Sequence, residues 1–184
     1  YLHPPHMAGG AGHISYTSTS LNGRNIYAPL DFMAHIGMMG WLATTLQLDT
    51  MTPEELEEIK GYFDLFKKIR HITCHGEIHR IASLREHPYA AFQFVLPDAS
   101  ESLLFVFGHG LQFAESISDI LLESLDPRAI YHTEVYGKQK SVKEVATPSI
   151  LGSVSGQALM EIGIPVNLKG DYDSCIFHFK AQDR

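Results

Sequence analysis

The residues with the clearest capacity for chemistry are histidines, of which the chain has 11. His71, Cys74, His75 and His79 lie close together, and His71 and His75 have the i, i+4 spacing at which two side chains on one helix face can bind a metal ion. The helix that carries them is predicted to end near Thr73, however, and no Cys-x-x-Cys or His-Glu-x-x-His pattern accompanies them. We therefore interpret them as ordinary polar side chains and predict no metal site and no cofactor.

Catalytic side chains of other kinds do not form a recognisable group. Cys74 has no basic partner assigned by any pattern, and no serine lies in a Gly-x-Ser-x-Gly turn. A carboxylate pair for glycoside hydrolysis cannot be chosen by spacing, because solvated or capping roles explain the candidate aspartates, which are Asp31, Asp49, Asp64 and Asp98. The residues alone therefore predict no catalytic constellation in this chain.

Composition excludes several classes of protein. The chain has 184 residues, 45% of them hydrophobic, which is enough for the core of one or two small domains. A net charge of -7 without a basic cluster argues against nucleic-acid binding, and no apolar run of the length of a membrane span occurs.

Two cysteines are too few for a disulfide framework, so we expect a reducing, cytoplasmic location. Because the chain begins at Tyr1 without a methionine, we expect a piece of a longer protein.

The element that organises the chain is a helix from Met51 to Thr73. Thr52 is a suitable N-cap, Pro53 suits the first helical position, and Glu55 completes a capping box. The spacing of the apolar residues predicts that one face is buried, formed by Leu56, Ile59, Phe63, Phe66 and Ile69. This helix separates Gly-rich and helical sequence before it from strand-like sequence after it.

The sequence before this helix predicts a long loop and a second helix. Tyr1 to Tyr27 is rich in Gly, Pro, Ser and Thr, and long loops of this kind are often functional. A helical stretch then opens at Ala28, and its apolar residues lie nearly all round, so we expect it to be buried.

The sequence after His75 predicts an antiparallel β-sandwich. Short runs rich in β-branched and aromatic residues alternate with turn signals. Residues 137–144 and 152–156 are predicted surface loops. The predicted strands are Glu77 to Ala82, Tyr89 to Leu96, Ser102 to Phe107, Ile117 to Leu125, Ala129 to Val135, Ile162 to Leu168 and Ser174 to Lys180.

A series of short motifs resembles the C-terminal third of glycoside hydrolase family 36, which consists mainly of α-galactosidases. Their common order and spacing carry the resemblance over nearly the whole chain. The motifs include Gly12-His13-Ile14-Ser15, Asn22-Gly23-Arg24, Ala28-Pro29-Leu30, Ala34-His35-Ile36-Gly37-Met38, Thr52-Pro53-Glu54-Glu55, Gly76-Glu77-Ile78-His79-Arg80-Ile81, Leu125-Asp126-Pro127 and Gly156-Gln157-Ala158-Leu159-Met160.

The resemblance implies an α+β architecture with two parts. Residues 1–73 would be the C-terminal end of a catalytic (β/α)8 barrel, comprising the last strand end, its loop and the closing helices. Residues 74–184 would be a C-terminal antiparallel β-sandwich domain. Because barrel active sites lie at the C-terminal ends of the strands, the loop from Tyr1 to Asn25 is expected at the catalytic face.

The resemblance also implies a function for the parent protein. The family is retaining and uses two catalytic aspartates that both precede this segment, so no residue here is expected to be catalytic and the fragment alone is expected to be inactive. His3, His6 and His13 are the expected substrate-binding residues. The expected partners are a galactoside substrate, the remainder of the parent enzyme and further copies in a homo-oligomer.

Three departures from the family pattern keep alternatives open. His3-Pro4-Pro5 replaces a Tyr-Pro-Pro sequence, Ser18 to Arg24 differs from the usual loop, and Met33 stands where the family commonly has arginine. An α-N-acetylgalactosaminidase of the same family is therefore one alternative. The other is a non-catalytic carbohydrate-binding or assembly module, since a β-sandwich after a catalytic domain often only binds or packs.

Overall fold

A computed structural model describes residues 13–14, 29–44, 52–111, 117–137, 149–168, 170 and 172–182. The first described elements form a β-α-β-α unit. Strand β1 (His13–Ile14) pairs in parallel with strand β2 (Ala43–Thr44), and helix α1 (Leu30–Met38) lies between them in the sequence. Helix α2 (Pro53–His75) follows β2. Within the described residues, no helix combines the length and apolarity needed to cross a bilayer.

Helix α2 begins and ends as its terminal residues dictate. The Glu55 backbone N–H donates to Thr52 Oγ1 (3.3 Å), and the Thr52 N–H donates to Glu55 Oε2 (2.9 Å), which completes the predicted capping box. Gly76 is the C-cap, where the backbone becomes extended, and the position requires glycine because a Cβ there would lie 2.5 Å from the carbonyl oxygen of Ile72. Strand β3 therefore follows α2 without a connecting loop.

The buried face of α2 is rotated from the prediction. Ile59 and Ile69 are buried as expected, but Leu56 is 37% exposed and that part of the prediction is wrong. Phe63 and Phe66 are half-buried at the edge of the core. The fully packed stripe instead follows three- and four-residue steps through Ile59, Tyr62, Leu65, Ile69 and Ile72.

The remaining strands form one antiparallel sheet of six strands in the order β3-β4-β5-β8-β6-β7. A short helix, α3 (Gly156–Glu161), follows β7. The strand bounds are β3 Glu77–Ala82, β4 Tyr89–Val95, β5 Glu101–Gly108, β6 Ile130–Gly137, β7 Ser149–Ser155 and β8 Ser174–Ala181.

Both faces of this sheet are buried, which explains the continuous apolar run of β5. One face packs against α1 and α2 through residues such as Phe94, Phe105 and Ile176. The other face is covered by α3 and by irregular segments that include Ile120 and Ile164. Strands covered on both sides are apolar at successive positions rather than alternating.

Two predicted strands and one predicted loop are corrected. The runs 117–125 and 162–168 are irregular segments joined by a single bridge between Ile120 and Ile164, and Gly163 (φ +92°) interrupts the second. Conversely, the predicted loop at 152–156 is the end of β7 and the start of α3. The glycine at position 152 made this strand resemble a loop in the sequence, and in the structure it adopts a φ of +109° within the strand.

We expect Leu65→Ala to lower the free energy of unfolding by about 2–5 kcal/mol, because the side chain is fully buried between α2 and the sheet. Leu56→Ala is the matched control on the same helix and should change it by no more than about 0.5 kcal/mol. Urea unfolding measures the change in the free energy of unfolding for each variant, provided that the two variants have the same m-value. Equal losses at the two positions would contradict the observed packing of α2.

Candidate functional site

The predicted substrate-binding histidines fall largely outside the described residues. His3 and His6 are not among them, and for His13 only the backbone is described, in β1 opposite Ala43. The loop predicted from Tyr1 to Asn25 therefore contains at least one strand position, and a βα connection follows it. Substrate binding by these three residues stays a prediction.

The histidine and cysteine cluster near the end of α2 does not converge. His71 Nε2 lies 3.0 Å from Glu101 Oε1, and His79 Nδ1 lies 2.9 Å from Glu123 Oε2. Cys74 is a free thiol. Among the described residues, no group of three or more His, Cys, Asp or Glu side chains is arranged to hold a metal ion.

A buried histidine–serine pair joins α1 to the sheet. His35 Nδ1 lies 2.9 Å from Ser174 Oγ, and the two side chains are almost inaccessible to solvent. Burial lowers the pKa of His35 to about 3, so its ring is neutral. The combination is that of a base and a hydroxyl nucleophile, but a substrate cannot reach it. The contact instead holds α1 at a fixed position on β8.

A second polar group lies where α2 crosses the sheet, centred on the buried His178 of β8. Its Nε2 lies 2.7 Å from Glu101 Oε2, while its Nδ1 is 3.7 Å from Glu134 Oε2 and has no hydrogen-bond partner among the described residues. Burial lowers the pKa of His178 to about 4, assisted by the charge of Lys180 and opposed by Glu101. The neutral ring donates from Nε2 to Glu101.

One of the two carboxylates around His178, that of Glu134, is held by cations from both layers. Lys180 Nζ donates to Glu134 Oε2 at 3.0 Å, and Lys68 of α2 lies 3.8 Å from the same oxygen. Lys68 also donates to the Tyr136 hydroxyl at 2.8 Å. These contacts connect α2, β5, β6 and β8 in one network.

This network lacks the electrostatics of a glycosidase acid–base pair. Burial alone would raise the pKa of Glu101, but hydrogen bonds from His71 and His178 outweigh it and lower the pKa. The pKa of Glu134 is likewise lowered, because Lys180 and Lys68 outweigh its burial. A general acid needs a raised pKa, so both carboxylates act here as ionised partners that fix the helix on the sheet.

Sequence reasoning missed this network, although one signal was present. His178 lies between Phe177 and Phe179, within residues 175–179 of β8, which are otherwise apolar. A titratable residue within such a run must find a buried partner, and Glu101, at the start of a neighbouring strand, supplies it.

We expect the free energy of unfolding to fall by roughly 2 kcal/mol for each of His35 and His178 when the pH decreases from 7 to 5. Their folded pKa values, about 3 and about 4, lie below the ordinary 6.5, so in this range the unfolded chain takes up protons that the folded chain does not. The stability is present above pH 6.5 and is lost as the pH falls towards the folded values.

Chemical unfolding at several pH values measures this slope. His178→Gln should remove about half of the pH dependence, whereas Leu84→Ala, at an exposed position, should leave it unaltered. An unfolding free energy that is flat between pH 7 and 5 would show that these two histidines are not buried in the neutral form.

Comparison with known proteins shows which protein family most of the sheet resembles. Residues 89–179 match the glycosyl hydrolase family 36 C-terminal domain, from the first residue of β4 to a point two residues before the end of β8. The chain is 28% identical over 182 residues to a probable alpha-galactosidase C of Aspergillus flavus, covering 98% of this chain and 22% of that protein. It is 26% identical over 171 residues to alpha-galactosidase 1 of Pediococcus pentosaceus, covering 92% of this chain and 21% of that protein.

Solved structures agree with these sequence relatives. The family 36 alpha-galactosidase AgaB of Geobacillus stearothermophilus superposes with a TM-score of 0.77 at 27% identity, over 94% of this chain and 22% of that one. A variant of AgaA from the same organism, in complex with raffinose, superposes with a TM-score of 0.76 at 25% identity, over 92% of this chain and 21% of that one. The chain thus spans about a fifth of the length of these relatives. Residues 89–179 thus match the C-terminal domain of glycoside hydrolase family 36, and family 36 alpha-galactosidases of known structure superpose on nearly the whole chain.

Proposed function

We propose that the chain is the C-terminal part of an α-galactosidase that hydrolyses terminal α-galactosyl residues from oligosaccharides or glycoconjugates. The observation that carries this proposal is the extent of the similarity. Relatives named as alpha-galactosidases match 89–98% of this chain, so the likeness includes the helices before the family domain as well as the domain itself.

The β-α-β-α unit supports a place for residues 1–73 at the end of a catalytic barrel. Two parallel strands, each followed by a helix, form the repeating unit of a (β/α)8 barrel. In such a barrel, the connection from a strand to the next helix lies on the catalytic face. His13 of β1 precedes such a connection, which supports its proposed role in substrate binding, with His3 and His6 in the preceding segment.

We propose that the reaction retains anomeric configuration and proceeds through a covalent glycosyl-enzyme intermediate. Such enzymes need two carboxyl groups about 5 Å apart, one of them with a raised pKa. Glu101 and Glu134 have lowered pKa values, so neither has the raised pKa that such a pair requires. As the family resemblance implies, the catalytic pair is proposed to lie before residue 1, and this chain is proposed to contribute scaffold and substrate contacts.

The complex of the AgaA variant with raffinose suggests a galactosyl oligosaccharide as substrate. An α-N-acetylgalactosaminidase is the alternative within the family, because the departures at His3, at residues 18–24 and at Met33 fall beside the proposed catalytic face. We also propose that the protein is cytoplasmic and assembles into a homo-oligomer.

We expect the intact enzyme to hydrolyse 4-nitrophenyl α-galactoside with a kcat/KM at least about tenfold above that for the α-N-acetylgalactosaminide, and the 184-residue chain alone to hydrolyse neither. The comparison of kcat/KM measures differential binding of the two transition states. Preference for the acetamido sugar would favour the alternative activity. Turnover by the isolated chain would refute the proposed location of the catalytic pair.

A further inference from the structure

Aromatic rings gather at one end of the sheet, where the turns before β4, after β5 and before β8 meet. We define this aromatic corner as Phe32, His109 and Tyr172. Its backbone is fixed by hydrogen bonds: Gly108 N–H donates to the carbonyl of Asp173 (2.8 Å), and Tyr172 N–H donates to the carbonyl of Gly108 (3.1 Å). His109 N–H donates to the carbonyl of Pro88 (2.9 Å), so all three turns are joined.

Tyr172 occupies this corner at a conformational cost. Its φ is +58°, in the left-handed region that suits glycine and is unfavourable for a bulky side chain. A glycine would adopt this backbone without strain, as Gly110 does nearby at φ +80°. Strain of this kind persists where the surroundings enforce it, and it is concentrated at binding sites.

The ring of Tyr172 has aromatic neighbours on two sides. Phe32, in the first turn of α1, lies edge-on at a centroid distance of 5.4 Å with planes at 84°. His109 lies at 6.2 Å with planes at 66°. Tyr172 is half-buried and His109 is exposed, so part of both rings is in contact with solvent.

The chemistry of this surface suits a neutral sugar. Apolar C–H faces of a pyranose pack on aromatic rings, and its hydroxyl groups exchange hydrogen bonds with imidazole nitrogens and a phenol. Binding sites for such ligands combine aromatic lining with a few fixed polar groups. Because the corner's backbone is tied by three hydrogen bonds, little ordering is required when a ligand binds.

We propose that the aromatic corner, through Tyr172 and His109, binds a sugar unit of the oligosaccharide substrate at a distance from the bond that is cleaved. The position of Phe32 supports this role, because it lies in the first turn of the helix that follows the proposed catalytic-face connection after β1. This inference rests on the proposed α-galactosidase activity and adds a subsite formed by the C-terminal domain.

Kinetics of the intact enzyme with two substrates test the subsite. The readout is the ratio of kcat/KM for stachyose to kcat/KM for 4-nitrophenyl α-galactoside, which lacks the additional sugar units. Tyr172→Gly removes the ring and also suits the positive φ, so it should lower this ratio about three- to tenfold, as expected for one lost aromatic contact. Tyr172→Phe keeps the ring and should preserve the ratio within about twofold.

Further variants make the test decisive. His109→Ala, at an exposed position, should lower the ratio in the same direction and serves if Tyr172→Gly does not fold. Leu84→Ala, at an exposed apolar side chain outside the corner, is the control and should leave the ratio unaltered. An unaltered ratio in both corner variants would overturn the subsite alone. A parent enzyme that hydrolyses neither substrate would overturn the proposed function, and the subsite with it.

Discussion

The burial of both faces of a single antiparallel sheet is the constraint on which the rest of the structure depends. Strand β5 is apolar at successive positions, so Leu103 and Phe105 point to one face while Leu104 and Val106 point to the other. A sheet of this composition needs a cover on each side. Helices α1 and α2 cover one face, and α3 with the irregular segments covers the other.

This arrangement makes the helices and the sheet one packing unit. Met38 of α1, Leu65 of α2 and Phe105 of β5 belong to the same core. The proposed division at residues 73 and 74 therefore separates two parts of the chain that share one core. Gly76 turns the chain from α2 directly into β3, and this close connection leaves no linker across which the two parts could move independently.

Buried polar contacts then fix where each helix lies on the apolar surface. An apolar face alone permits several docking positions, whereas the His35–Ser174 hydrogen bond and the network around His178 each permit one. Such contacts contribute little net stability, because the cost of removing these groups from water offsets much of the favourable electrostatic interaction between them. Their effect is to specify the position of α1 and α2, and thus of the strands and connections proposed to form the end of a barrel.

Much of this fold was predictable from the sequence where local signals agree with packing. The Thr52-Pro53-Glu55 signature gave the start of α2, and apolar runs gave β4, β5 and β8. Strand β7 was missed because Gly152 and the serines of this strand are residues typical of a loop. Residues 117–125 and 162–168 were mistaken for strands because they are apolar, although they share only one bridge. The network around His178 depends on pairing between distant strands, which spacing along one chain does not reveal.

The central claim is that this chain supplies scaffold and substrate contacts, while the catalytic carboxylates lie outside it. Trapping of the glycosyl-enzyme intermediate with a fluorinated galactosyl fluoride, followed by peptide mapping by mass spectrometry, tests it most directly. The account predicts a galactosyl label on one aspartate of the intact enzyme that lies outside residues 1–184. A label on any carboxylate within these residues, such as Glu101 or Glu134, would contradict it.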